Sequence, residues 1–178
     1  MKIVVVGPGA IGCLFAAFLA KSKEEIWLLD KNSERAAKIN AGGISLEGES
    51  GSWQIKVKTT SKPAEIGKAD LILVCVKSFH TKLAVEQIKP LLSAETKILT
   101  LQNGIGNVEI ISELAGSDRV IVGVTSEGAT LTDTGKIRHA GRGETVIGTI
   151  DGKIPVQMRA IRETFNKVGF ECKMSRDI

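Results

Sequence analysis

Two histidines and three cysteines are the whole stock of nitrogen and sulfur metal ligands in this 178-residue chain. Cys13, Cys75 and Cys172 lie far apart among apolar residues, and no pair has metal or redox spacing. With only His80 and His139 beside them no zinc cluster can be built, so no metal site is expected. The thiols read as buried and reduced, as in a cytosolic protein. No apolar run approaches membrane-spanning length, and Met1 leads straight into a strand without the charged segment and cleavage site of a signal peptide. A cytoplasmic location and no membrane contact are the expectation. Basic runs interleaved with aromatics are missing too. The net charge of +4 comes from lysines scattered among acids, which argues against nucleic acid and leaves a mild attraction for anionic ligands.

What is there suits one globular domain spanning residues 1–178: 43% apolar and 25% charged residues in a chain too short for two comfortable cores. Strand and helix signals alternate. Ile3–Val6 is a continuous apolar run, as in a strand buried on both faces, and helical spacing follows over Ala10–Lys21. "EIWLLD" (Glu25–Asp30) reads as a second strand. Asn32 or Ser33 then caps a helix that closes at Gly42-Gly43. "ISLEGESGSWQIKVKT" alternates about a Gly/Ser turn like a hairpin. Ala69–Val76, Lys97–Leu101 and Arg119–Val124 are further strands, separated by helices from about Thr81 and near Asn107–Ala115. Glycines then punctuate short strands, which predicts an antiparallel edge, before an amphipathic helix in Ile154–Gly169 and an apolar "FEC". The class is α/β: a doubly wound, Rossmann-type, mostly parallel sheet with an antiparallel C-terminal edge. Ligands of that class bind beyond the carboxyl ends of the strands, which here selects Gly7, Asp30, Lys77, Gln102-Asn103 and Thr125.

Gly7-Pro8-Gly9-Ala10-Ile11-Gly12 matches G-x-G-x-x-G between a strand and a helix. In a dinucleotide site the first glycine makes the turn, the second admits a pyrophosphate and the third lets the helix pack on the strand. The helix N-terminus supplies free N–H groups to the anion. A plain strand-to-helix turn is the competing reading. No G-K-[ST] follows, which disfavours a mononucleotide loop. Asp30 ends the second strand, where an acid accepts the ribose hydroxyls of NAD. Lys31 follows at once, either meeting the 2′-phosphate of NADP or simply opening a solvated loop. Asp30 tolerates NADP only by turning away or by being offset by Lys31.

Lys77 stands where the apolar strand "LILVCV" ends, and Asn103 does the same after "ILTL". Each is open to a bland account, a chain reaching solvent and an Asn-Gly turn. Together, on adjacent strand ends opposite a phosphate loop, they suit contacts to both cofactor and substrate, the amide offering donor and acceptor.

Four stretches, "KIVVVGPGAIGCLFAAFLA", "ADLILVCVKSFHT", "LQNGIGN" and "GVTSEGATLTDTGKIRHAGRGETVIGT", make the whole chain resemble the N-terminal domain of ketopantoate reductases (2-dehydropantoate 2-reductases). The resemblance implies NADPH-dependent reduction of 2-dehydropantoate to pantoate, on the route to pantothenate and coenzyme A. It implies that Gly7 to Gly12 hold the pyrophosphate, Lys77 and Asn103 face cofactor and substrate, and the Ala129 backbone touches the cofactor. Family members commonly carry arginine after a small residue where this chain has Asp30-Lys31, so NAD stays open beside NADP. They also continue into a helical second domain, whose first helix carries a W-x-K-L pattern and the proton-donating lysine. This chain stops at "MSRDI", so the resemblance places the catalytic lysine beyond Ile178 and none within the chain. Lys167 and Lys173 have no such context. The expected partners are a 2-keto acid and the chain's own C-terminal domain, with a homodimer left open. Alternatives are another two-domain 2-keto acid or sugar-acid reductase, and a nucleotide-sensing module without catalysis.

Overall fold

Consecutive β-branched residues in β1 (Lys2–Val6) point alternately to the two faces of a sheet. Ile3 and Val5 join one buried cluster, Val4 and Val6 the other. Both faces of this strand are therefore covered, which explains the absence of any polar alternation in its sequence. The computed structural model describes residues 1–178. After β1 come α1 (Ala10–Leu19), β2 (Glu25–Leu29), α2 (Ser33–Gly42), β3 (Ile44–Gly48), β4 (Trp53–Ile55) and β5 (Lys58–Thr60). The chain continues through β6 (Leu71–Val74), α3 (Thr81–Ile88), β7 (Lys97–Thr100), α4 (Asn107–Ala115) and β8 (Val120–Thr125). It closes with β9 (Gly128–Asp133), β10 (Lys136–Gly141), β11 (Glu144–Thr149), α5 (Val156–Lys167) and β12 (Glu171–Met174).

Eight strands form the main sheet in the order β12-β11-β8-β7-β6-β1-β2-β5. The six from β5 to β8 are parallel; β11 runs antiparallel to β8, with β12 parallel to β11. That is the doubly wound sheet with the antiparallel edge expected above. The strand order reverses between β1 and β6, so the crevice lies beyond Val6 and Val74, where Gly7 and Lys77 follow. Ala84, Val85 and Ile88 of α3 and Ile111 of α4 cover one face.

The other face meets α1, buried without a break from Gly12 to Leu19, and α5 through Met158, Ile161 and Phe165. Phe15, Phe18, Phe165 and Phe170 cluster there, with Phe15 stacked on Phe170 at a centroid distance of 4.3 Å. A helix buried all round needs a second lid. A four-stranded sheet, β4-β3-β10-β9, supplies it, packing Ile44, Leu46 and Ile137 into the same core. The β3–β4 hairpin of this sheet follows the local pattern. Its central pairing does not: β3 lies parallel to β10, with Ser45 opposite Lys136 and Leu46 opposite Ile137.

Candidate functional site

Beyond Val6 the backbone turns at Gly7, whose φ of +98° is a left-handed conformation and whose N–H donates to the Leu29 carbonyl at 3.0 Å. The three glycines of the turn have different neighbours. A Cβ on Gly12 would lie 1.9 Å from the Gly7 carbonyl oxygen, so α1 can press against the turn only without a side chain there. A Cβ on Gly9 would meet nothing within 4 Å. Gly9 is the N-cap of α1; no side chain caps the helix and no acid sits in its first turn. The N–H groups at this terminus are thus left for an anion, in open space above Gly9. Pro8 is buried and has no N–H to offer, and Ala10 and Ile11 begin the helix. The turn fits a pyrophosphate.

Gly7, Pro8, Gly9, Asp30, Lys31 and Lys77 line one cleft of about 230 Å³. Asp30 is there in a form the sequence did not suggest. Its side chain is fully buried, and both oxygens are taken by Arg35, through Nε at 2.5 Å and Nη2 at 2.6 Å. The Asn32 N–H adds a third bond at 3.1 Å. Asn32 also caps α2 by accepting from the Arg35 N–H at 2.8 Å, which fixes Arg35 in the helix's first turn. The hydrogen bonds and charge of Asp30 hold the guanidinium's pKa above its ordinary value. Arg35, not Lys31, therefore offsets the carboxylate. Lys31 turns across the cleft, and its Nζ lies 3.2 Å from His80 Nε2. The wall is net positive, with Arg35, Lys31 and Lys77 against a single, already paired acid. Arg35 and His80 were missed in the sequence. The only signal was an arginine in the third position after a capping Asn, behind the acid it binds.

A second cleft of about 350 Å³ opens beside the first and shares Cys75, Val76 and Lys77 with it. Ile11, Gln102 and Asn103 belong to its walls. Lys77 and Asn103 are both exposed at adjacent strand ends, so the structure brings them to one opening, with Lys77 common to the two clefts. Ala129 lines neither. It lies on β9 opposite His139, although Leu131, two residues further on, reaches the first cleft. Burial pushes the Cys75 thiol up to about 12 and the Cys13 thiol likewise, so neither offers a thiolate to the site.

The family described as ketopantoate reductase PanE/ApbA matches residues 3–152. A 2-dehydropantoate 2-reductase of Pyrococcus horikoshii is 38% identical over 179 residues, covering 100% of this chain and 57% of the relative. One from Halobacterium salinarum is 34% identical over 172 residues, covering 96% of the chain and 56% of the relative. Among solved structures, the 2-dehydropantoate 2-reductase of Geobacter metallireducens superposes with a TM-score of 0.91 at 31% identity, over 99% of this chain and 58% of that one. The chain thus spans little more than half the length of these relatives.

Proposed function

The chain belongs to the ketopantoate reductase PanE/ApbA family, and on that premise we propose that it forms the NADPH-binding half of a 2-dehydropantoate 2-reductase. Bound NADPH supplies the hydride that reduces the ketone to pantoate. The residues of this chain bind and orient. Gly7 to Gly12 and the free end of α1 hold the pyrophosphate, with Gly9 as the point of closest approach. Arg35 and Lys31 meet the 2′-phosphate. A bare carboxylate about 4 Å from that phosphate would cost about 4 kcal/mol per pair of unit charges at an effective dielectric near 20. Arg35, closed on both Asp30 oxygens, removes that obstacle and leaves a cationic wall. This favours NADPH over NADH.

Lys77, common to both clefts, spans from cofactor to substrate, and Asn103 offers its amide to both. The lysine that protonates the developing alkoxide, and most contacts to the keto acid, belong to the stretch of the relatives' length that this chain does not span. The domain works in the cytoplasm against its own C-terminal partner domain. The open space above Gly9 at an uncapped helix end carries this reading. Fluorescence titration of the chain with NADPH and NADH tests it: NADPH binds more tightly, and failure to bind either nucleotide overturns it.

A further inference from the structure

The parallel pairing of β6 with β7 ends where the Leu101 N–H meets the Val74 carbonyl at 3.3 Å. Beyond that point the segment carrying Lys77 and the segment carrying Asn103 share no backbone–backbone bond. Side chains join them instead. The Gln102 amide nitrogen donates to the Val76 carbonyl at 2.7 Å, one residue before Lys77, and to Thr81 Oγ1 at 2.8 Å. The Thr81 hydroxyl lies 2.7 Å from Asn107 Oδ1. It is also 2.8 Å from the Ser78 carbonyl, so its single proton has two acceptors within reach, of which Asn107 Oδ1 is the nearer. Asn107 Nδ2 in turn donates to the carbonyls of Asn103 and Gly104, each at 3.2 Å. Thr81 and Asn107 open α3 and α4; both are buried, and neither lines either cleft.

We propose that Thr81 and Asn107 are positioning residues, a buried hydrogen-bonded brace that sets the Lys77 ammonium and the Asn103 amide at a fixed spacing for the nicotinamide end of the cofactor. The inference rests on the functional reading above, in which those two groups hold that end. A satisfied network in a low-dielectric interior has one arrangement, and deleting a member frees both loops at once. Neither residue touches the ligand. Their effect is confined to the half of the dinucleotide that Lys77 and Asn103 reach, leaving the phosphates on Gly9 and Arg35 as they were.

That asymmetry gives the test. Thr81→Val removes the hydroxyl at near-constant volume, whereas Thr81→Ser keeps it. Both variants and the parent chain are titrated with NADPH and with 2′-phospho-ADP-ribose, which retains the phosphates and lacks the nicotinamide. In Thr81→Val the affinity for NADPH falls about tenfold while that for the fragment stays within about twofold, and Thr81→Ser restores NADPH binding. Asn107→Asp gives the same split and suits a helix's first turn, so it serves if the valine variant does not fold. Equal loss for both ligands, or no loss for NADPH, overturns the brace. A parent chain that binds neither ligand overturns the functional reading itself and the brace with it.

Discussion

Placing a serine at Gly9 should make the protein more stable and a worse nucleotide binder. Gly9 has φ −77° and ψ −174°, an extended conformation open to any residue, and its missing Cβ faces space with nothing within 4 Å. A substitution there that narrows the unfolded ensemble contributes about 0.4–1 kcal/mol. Serine at an N-cap adds a few tenths of a kcal/mol over glycine by accepting an N–H of the first turn. The sum is about 1 kcal/mol, which for a chain of this length raises Tm by about 2–4 °C. The bound hydroxyl, however, takes a donor that the pyrophosphate needs and stands where the phosphate would sit. One charge-assisted hydrogen bond is about 1.5–3 kcal/mol, so NADPH affinity drops about tenfold to a hundredfold. Thermal melts and NADPH titrations of Gly9→Ser against the parent measure both signs. Unchanged affinity would show that the phosphates lie elsewhere, and a lower Tm would show that the space above Gly9 is not open.

Gly12→Ala is the counterpart: with the Gly7 carbonyl 1.9 Å from the new Cβ, the helix must move, lowering stability by about 1–3 kcal/mol and abolishing NADPH binding, read by the same two assays. Arg35→Ala leaves the Asp30 carboxylate without its cation beside the 2′-phosphate site, so the ratio of NADPH to NADH affinity falls about tenfold or more; an unchanged ratio places that phosphate away from Arg35. Burial raises the Cys13 thiol from 9.0 to about 12, so native protein at pH 8 resists iodoacetamide at this site while denatured protein is alkylated, as mass spectrometry reads. The same shift has a sign in stability. The folded state holds the thiol proton more tightly, so its contribution is complete below pH 9 and is lost as pH climbs from about 9 towards 12, lowering Tm over that window.

Features set by neighbours in the chain were legible. The run Val4 to Gly12 announces strand, turn and helix because each glycine's task follows from its place in the motif, and Asn32 announces α2 because a cap acts within three residues. Helix α4 lies at Asn107–Ala115, its expected place. Features made by distant partners were not. The hairpin of β3 and β4 showed in its alternation, yet the sheet it belongs to needs β10, from the far end of the chain, and no periodicity marks a parallel partner. Asp30 was read as a free acceptor because its captor comes from the next element, where the strand-to-helix corner folds Arg35 back over it. Thr81 and Asn107 pass for ordinary polar residues at element ends, and Gln102 stood out only for its place at a strand's carboxyl end. Only the adjacency of β6 and β7 turns them into one connected chain of bonds.

The pairing of β3 with β10 also orders events at the ribosome. Once β8 has emerged, every strand of the six-stranded parallel sheet is available, so the glycine turn and the second cleft can take shape, while the first still lacks Leu131. The outer side of α1, Phe18 included, has no cover until Gly141 follows, because the second sheet has no centre before β10 is made. At ordinary synthesis rates the delay from Ile44 to Gly141 is on the order of 10 s. Over that interval β3 waits without its parallel partner, and the second sheet cannot yet shield the apolar flank of α1.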